Sequence, residues 1–374
     1  MRRLALVLCC LLLMSMLANA QPVEWTVWDM PTSESFPGDL VWMIDDSLFI
    51  ALHDPQALAR FEPGFNELII WELDGAPGEF VWTNSGLLFT QPDIGRIGWL
   101  QPDANYTKYW PLPGPGQPLF ATESGFGNGV ENIWYLDWAT GRLGLFEPSQ
   151  LTLPDEASPA AQVVSVPRTA STVLPTVQTS LPEFHVPDPG LVPAVHLLEP
   201  VVSAGFREWT ITSIDPPPYA LLEGNDGSVW VPDNDTLQSL SPSDNTVTVY
   251  DLPLHLFVTG LSAVPDATDI YFLARGTDGI SKIGVLQPEN GSIAMWEIPG
   301  GTGIDAVSLV IAGNAIWFCD RGNSAIYRFI PMVGEFTWWE TGGDDAPLYI
   351  EPGSPNEFWV SWERSGKLAR LRLP

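Results

Sequence analysis

His53, Arg275, Arg321 and Glu363 share an offset. Each lies four residues beyond the middle of a short apolar run: Leu48-Phe49-Ile50, Ile270-Tyr271-Phe272, Ile316-Trp317-Phe318 and Phe358-Trp359-Val360 respectively. A histidine titrates near neutrality, and a neighbouring carboxylate raises its proton affinity, so His53 with Glu363 is a candidate acid–base pair. Arg275 and Arg321 are permanent donors suited to carboxylate or carbonyl oxygens. Trp138 and Asn234 occupy the same offset, and one step nearer the runs stand Gln91, Asp137, Asp233, Asp320 and Trp362. Asp137, Asp233 and Asn234 offer hard oxygen ligands for a divalent cation such as Mg or Ca. Gln91, Trp138, Arg275, Asp320, Arg321 and Trp362 would supply polar contacts and aromatic walls to a bound ligand. The competing expectation is that charges in this position cap loops or pair with adjacent units.

The runs themselves say how these residues could meet. Three more, Leu87-Leu88-Phe89, Ile133-Trp134-Tyr135 and Val229-Trp230-Val231, bring the set to seven, and the steps between their middle residues are 39, 46, 96, 41, 46 and 42. All but the third step match the length of a four-stranded propeller blade. Within a unit the run is followed by a strand such as Arg96-Ile97-Gly98-Trp99-Leu100, a proline turn, and an alternating strand such as Ala294-Met295-Trp296-Glu297-Ile298-Pro299. Short β-branched and aromatic stretches bounded by Gly, Pro, Asn and Asp are strand signals, and no stretch carries helical periodicity. The seventh unit stops after three strands, while Glu24-Trp25-Thr26-Val27-Trp28-Asp29-Met30-Pro31 is a fourth strand without a unit. The predicted fold is therefore all-β, a seven-bladed β-propeller closed by the N-terminal strand completing the last blade. In such a ring the residues just past each run converge on one mouth of the central channel.

Residues 1–20 carry Arg2 and Arg3, an apolar run from Leu4 to Leu17 and the Ala18-Asn19-Ala20 site, the pattern of a signal peptide, so the mature chain is expected to start at Gln21 and be secreted, periplasmic or held at the cell surface. Cys9 and Cys10 leave with that segment, and the remaining Cys319 is expected to be a buried small hydrophobe. The formal net charge of −29 makes nucleic acid an unsuitable partner, and no stable membrane insertion is expected. The long third step holds residues 149–205, an insertion within the third blade with nine prolines, many Ser and Thr, and little charge. Its composition predicts an extended segment that does not pack on itself, either a tolerated surface insertion or a docking arm.

Ile316-Trp317-Phe318 with Gly322-Asn323-Ser324-Ala325-Ile326, Asp93-Ile94-Gly95-Arg96-Ile97-Gly98, and Lys108-Tyr109-Trp110-Pro111-Leu112-Pro113 resemble the repeat of the virginiamycin B (streptogramin B) lyase family. The resemblance spans 21–374 apart from the insertion. It implies the propeller fold and, in true lyases, elimination at the ester of a cyclic depsipeptide with a magnesium ion. The family's catalytic histidines sit in a Pro-His-Gly/Ala-Ile pattern. The comparable positions here are Pro347-Leu348-Tyr349-Ile350 and Asp305-Ala306-Val307, and Pro218-Tyr219-Ala220-Leu221 substitutes a tyrosine, so Tyr219 joins the ligand-binding candidates. Glu363 matches the family's glutamate. The expectation is an exported, monomeric, non-catalytic module that binds a small-molecule or protein ligand at the channel mouth. The alternative is a divergent metal-dependent lyase or lactonase acting on a cyclic ester.

Overall fold

The computed structural model describes residues 21–374 apart from 33–34, 84–85, 124–131, 149–154, 158, 160, 186–192, 204, 212–219, 254 and 265–266. The leader read at 1–20 lies outside the described residues. Seven antiparallel sheets stand in a ring, a seven-bladed β-propeller, and every expected apolar run forms the second strand of a blade. The innermost strands touch their neighbours around the whole circle, closing where Pro37–Trp42 of blade 1 meets Pro347–Pro352 of blade 7. The last blade takes its fourth strand from the other end of the chain: Val23–Asp29 pairs antiparallel with Lys367–Arg372, Trp25 opposite Leu371.

The repeated residues have identifiable jobs. In blades 2, 3 and 5 the second strand presents Phe89, Tyr135 or Phe272 directly opposite Gly98, Gly144 or Gly284 of the third. A β-carbon on any of these glycines would strike the aromatic ring, so the ring lies flat over the bare backbone. The turn between third and fourth strands runs Pro-x-x-Asn or Pro-x-x-Gly, from Pro63 to Asn66 in blade 1 and from Pro331 to Gly334 in blade 6. Its last residue is left-handed, with φ of 55° at Asn66, 49° at Asn105, 59° at Asn245 and 63° at Gly334. Asparagine and glycine tolerate that conformation best.

Asparagine there does a second thing. Trp28 Nε1 of blade 7 donates to Asn66 Oδ1 of blade 1 at 2.8 Å, Trp71 Nε1 to Asn105 Oδ1 at 2.8 Å, and Trp209 Nε1 to Asn245 Oδ1 at 3.1 Å. Each bond latches one blade's outer strand to the next blade's turn. Where the turn ends on Gly205 or Gly334, the corresponding Trp110 and Trp296 indoles are left without a partner.

Each blade has a fifth strand, and all seven come from the Pro-rich stretch. Asp155–Ala157 pairs with the outer strand of blade 2, Ala161–Ser165 with blade 1, and Arg168–Val173 with blade 7. Thr176–Thr179 then joins blade 6, Glu183–His185 blade 5, Ala194–Leu197 blade 4, and Val201–Ser203 blade 3. The segment leaves blade 3, circles the ring once, and re-enters blade 3 at Phe206–Thr210. Among the described residues no strand of this belt pairs with another belt strand. Sheet twist makes such a path possible. Four steps of roughly 20–25° each turn the fifth strand by about 80–100° from the first, from along the channel to along the circumference. Every belt strand follows a proline by one or two positions: Pro154, Pro159, Pro167, Pro175, Pro182, Pro193 and Pro200. Proline has no N–H to leave unpaired and holds the chain extended, which suits the crossings between sheets.

Candidate functional site at the channel mouth

The innermost strands of blades 1, 3, 5, 6 and 7 are bulged, with register shifts at Pro37/Leu40, Pro118/Phe120, Val258/Gly260, Val307/Leu309 and Pro347/Ile350. A bulge breaks the in–out alternation and re-aims side chains. Here it frees Asp39, Thr259, Ser308 and Tyr349 to tie blades together. Asp39 accepts from Leu40 N and, in the next blade, from Phe80 N, both at 2.9 Å. Glu79 Oε2 accepts from Ala121 N of blade 3 at 3.0 Å, Thr259 Oγ1 donates to Ala306 O at 2.6 Å, and Ser308 Oγ accepts from Ile350 N at 3.1 Å. The Tyr349 hydroxyl of blade 7 passes blade 1 and donates to Glu79 Oε1 of blade 2 at 3.2 Å.

Three carboxyls thus share the channel. Burial, opposed by its two backbone donors, pushes Asp39 up to about 7. Burial and then the Asp39 charge push Glu79 up to about 8, and the same two causes push Glu351 up to about 8. Tyr349 is raised well above the usual phenol range, by burial first and then by the Glu79 and Asp39 charges. Like charges confined together favour keeping protons, so near pH 7 Glu79 and Glu351 are mostly protonated and Asp39 about half so.

Beside them opens a cavity of about 500 Å³. Glu79 and Tyr349 line it together with Arg275, Arg321 and Asp305, and Phe257, Leu261, Leu309 and Leu348 contribute apolar surface. Asp305 grips Arg321 through Nε at 3.0 Å and the terminal nitrogen at 2.9 Å, while Glu363 lies 4.0 Å from the other terminal nitrogen. Arg275 is exposed and, among the described residues, holds a 3.5 Å bond to Thr302 O. Its donors are the more available pair.

The candidates read from sequence separate by a single step in register. Those three residues past the run's centre are mostly fastenings. Asp137 is buried, its Oδ1 accepting from Gln117 N at 2.8 Å and Ala139 N at 3.0 Å, its Oδ2 from Thr140 Oγ1 at 2.5 Å. Asp320 is fully buried and accepts from Asp305 N at 2.9 Å and Gly322 N at 3.0 Å. Its Oδ2 has no partner, and burial outweighs the backbone donors to raise its pKa. Gln91 bridges Gly75 O and Arg96 Nε, both at 2.7 Å. In these three blades the residue pins the loop entering the innermost strand. Asp233 accepts from Asn234 Nδ2 at 3.3 Å and Gln238 Nε2 at 3.0 Å. The carboxylates proposed as cation ligands are therefore engaged with their own loops, and among the described residues no group of three His, Cys, Asp or Glu side chains could hold a metal. Trp362 is buried edge-on against Trp25 at 5.6 Å. Cys319 is buried and free.

Residues one step further divide between the cavity and its surroundings. Arg275 and Arg321 reach the cavity; His53, Trp138 and Glu363 stand outside its lining. Glu363 does act on His53 as expected, yet the net shift is downward. Desolvation of the ring outweighs the Glu363 charge, the Pro77 carbonyl and Asp93. Tyr219 lies outside the described residues. Glu79, Asp39 and Glu351 were not among the candidates, because nothing within a single blade marks its innermost-strand acid as the neighbour of an acid in another blade.

No family model and no curated protein matches the chain. Among solved structures, virginiamycin B lyase from Staphylococcus aureus superposes with a TM-score of 0.66 at 15% identity, covering 94% of this chain and 99% of that one. A streptogramin B lyase structure gives 0.64 at 15%, covering 94% and 98%. YCF48 bound to D1 peptide gives 0.60 at 12%, covering 94% and 96%. At these identities the likeness is one of fold.

Proposed function

We propose that this chain is an exported binding propeller that takes a small molecule or peptide into the cavity at its channel mouth. The observation that carries the reading is the meeting of two guanidiniums, Arg275 and Arg321, with apolar side chains of blades 5, 6 and 7 in one 500 Å³ space. That combination suits an apolar body carrying a carboxylate or carbonyl oxygen. A fold neighbour whose structure includes a bound peptide supports the reading. Among the described residues no helix is long and apolar enough to cross a membrane. The test is calorimetric titration with a panel of short peptides and cyclic esters. Binding that falls about tenfold or more in Arg275→Gln and survives in Asp137→Asn supports the proposal; equal affinity in Arg275→Gln and wild type removes it.

A second reading is cleavage of a cyclic ester at the same place. What favours it is Glu79, whose carboxyl keeps its proton to about 8 on the cavity wall, as a proton donor to a leaving alkoxide must. Product release from a lactone or depsipeptide that Glu79→Gln abolishes would establish it, and binding without turnover in wild type would leave the first reading standing.

A further inference from the structure

The belt stands where the other blades have a four-residue turn. Pro148 and Gly205 are the ends of a Pro-x-x-Gly turn held apart by 149–204, and Gly205 keeps the left-handed conformation, φ 73°. Glu147 N still donates to Gly205 O at 2.7 Å, so blade 3 closes as the others do. The fold of blade 3 does not require the intervening chain. We propose that residues 155–203 are a strap that docks last and locks the ring, holding the N-terminal strand in blade 7.

Chain order sets the sequence of events. Blades 4, 5 and 6, and three strands of blade 7, all lie beyond residue 203. The belt strands 168–173, 176–179, 183–185 and 194–197 therefore have no complete sheet to join until the C-terminal half exists. The belt cannot fold in advance, because its described strands do not pair with one another and it has little core of its own. Val163 is 65% exposed, Leu174 76%, Leu181 88% and Phe184 73%. What holds it is main-chain bonding to finished blades, including Val166 N to Asn66 O at 2.9 Å, Ser180 N to Gly334 O at 2.8 Å and Leu198 N to Asn245 O at 2.9 Å. Each acceptor is the left-handed residue ending a third-to-fourth strand turn, so the strap reads a feature that appears only once a blade has formed.

The lock acts at the seam. Val23–Asp29 is the strand on which closure depends; it hydrogen-bonds to Lys367–Arg372 and buries Val23, Trp25 and Trp28 against the rest of the ring. Without the belt it would be an edge strand, its outer main-chain groups unpaired and its exchange governed by fraying from one side. Arg168–Val173 pairs with it over six positions, Val23 with Val173 through Trp28 with Arg168, and makes it internal. Among the described residues no disulfide closes the ring, since Cys319 is free. The strap supplies by topology the restraint that a cross-link would supply covalently.

The test places protease sites at Val166-Pro167 and Leu174-Pro175 in the full-length protein, cuts after folding, and follows amide hydrogen exchange. Exchange at Val23–Asp29 should rise about tenfold or more while Pro37–Trp42 is unchanged. Unchanged exchange at Val23–Asp29 after release of 168–173 overturns the lock. If the inserted sites prevent folding, replacing 149–204 by two residues, on the pattern of Pro331-Met332-Val333-Gly334, gives the same comparison. In pulse-labelled refolding of the wild type, the amides of 168–173, 176–179, 183–185 and 194–197 should gain protection after those of blades 4–6; protection gained earlier overturns docking last.

Discussion

Replacing Glu79 by glutamine should stabilise the protein at alkaline pH and do so progressively less as the pH falls. The carboxyl titrates at about 8 in the fold against an ordinary 4.5. A raised carboxyl means that the native state binds the proton more tightly than the unfolded chain, so stability declines as pH rises from 4.5 to about 8. At roughly 1.4 kcal/mol per pH unit the ceiling on that loss is about 5 kcal/mol. Glu79 is half-buried and keeps contact with the channel, which lowers a realistic figure to about 2 kcal/mol. Glutamine reproduces the protonated form, accepting from Ala121 N through its oxygen and donating to the Tyr349 hydroxyl through its amide. The assay is thermal unfolding of both proteins from pH 5 to pH 9. The melting-temperature difference should grow across that range by about 3 °C and flatten above pH 8. Any change in packing or hydrogen bonding adds a constant offset, so only the slope carries the inference. A difference that stays constant between pH 5 and pH 9 would show that Glu79 is not a proton-holding group, and the protonated state described for the channel would fall with it.

Other expectations concern the scaffold. Asn66→Gly keeps the left-handed turn and removes only the acceptor for Trp28 Nε1, so it should cost about 1–2 kcal/mol in denaturant unfolding; Trp110 and Trp296, which lack that acceptor, bound the effect as tolerable. Gly144→Ala puts a methyl into the Tyr135 ring, and an overpacking loss of about 1–3 kcal/mol should appear in the same measurement. Asp137→Ala strips the fastening of the loop at Gln117 and should lower the melting temperature equally with and without added magnesium. A loss seen only when magnesium is present would restore a cation to that site.

The ring was legible because a blade is a local object. Its strands adjoin in sequence, so the spacing of seven apolar runs, the proline turns and the orphan Glu24–Pro31 strand were enough to count and close it. The arginines at the mouth were legible for the same reason, since register within a blade decides which end of a strand a residue leaves. That register also separated the fastening aspartates from the rim residues by one position, a difference that required seeing which loop each carboxylate bonds.

Two features depended on contacts between distant parts of the chain. Asp39, Glu79, Tyr349 and Glu351 come from blades 1, 2 and 7, and they shift one another only because ring closure and bulged strands bring them into one channel. The Pro-rich stretch has the composition of an extended chain, and its described residues form seven short strands. That it runs once around the circumference follows from sheet twist and from the main-chain edges that seven finished blades expose, and neither is written in its side chains. Local pairing and periodicity were in the sequence; long-range electrostatics and edge capture were settled by the assembled ring, because both depend on distances that exist only after it closes.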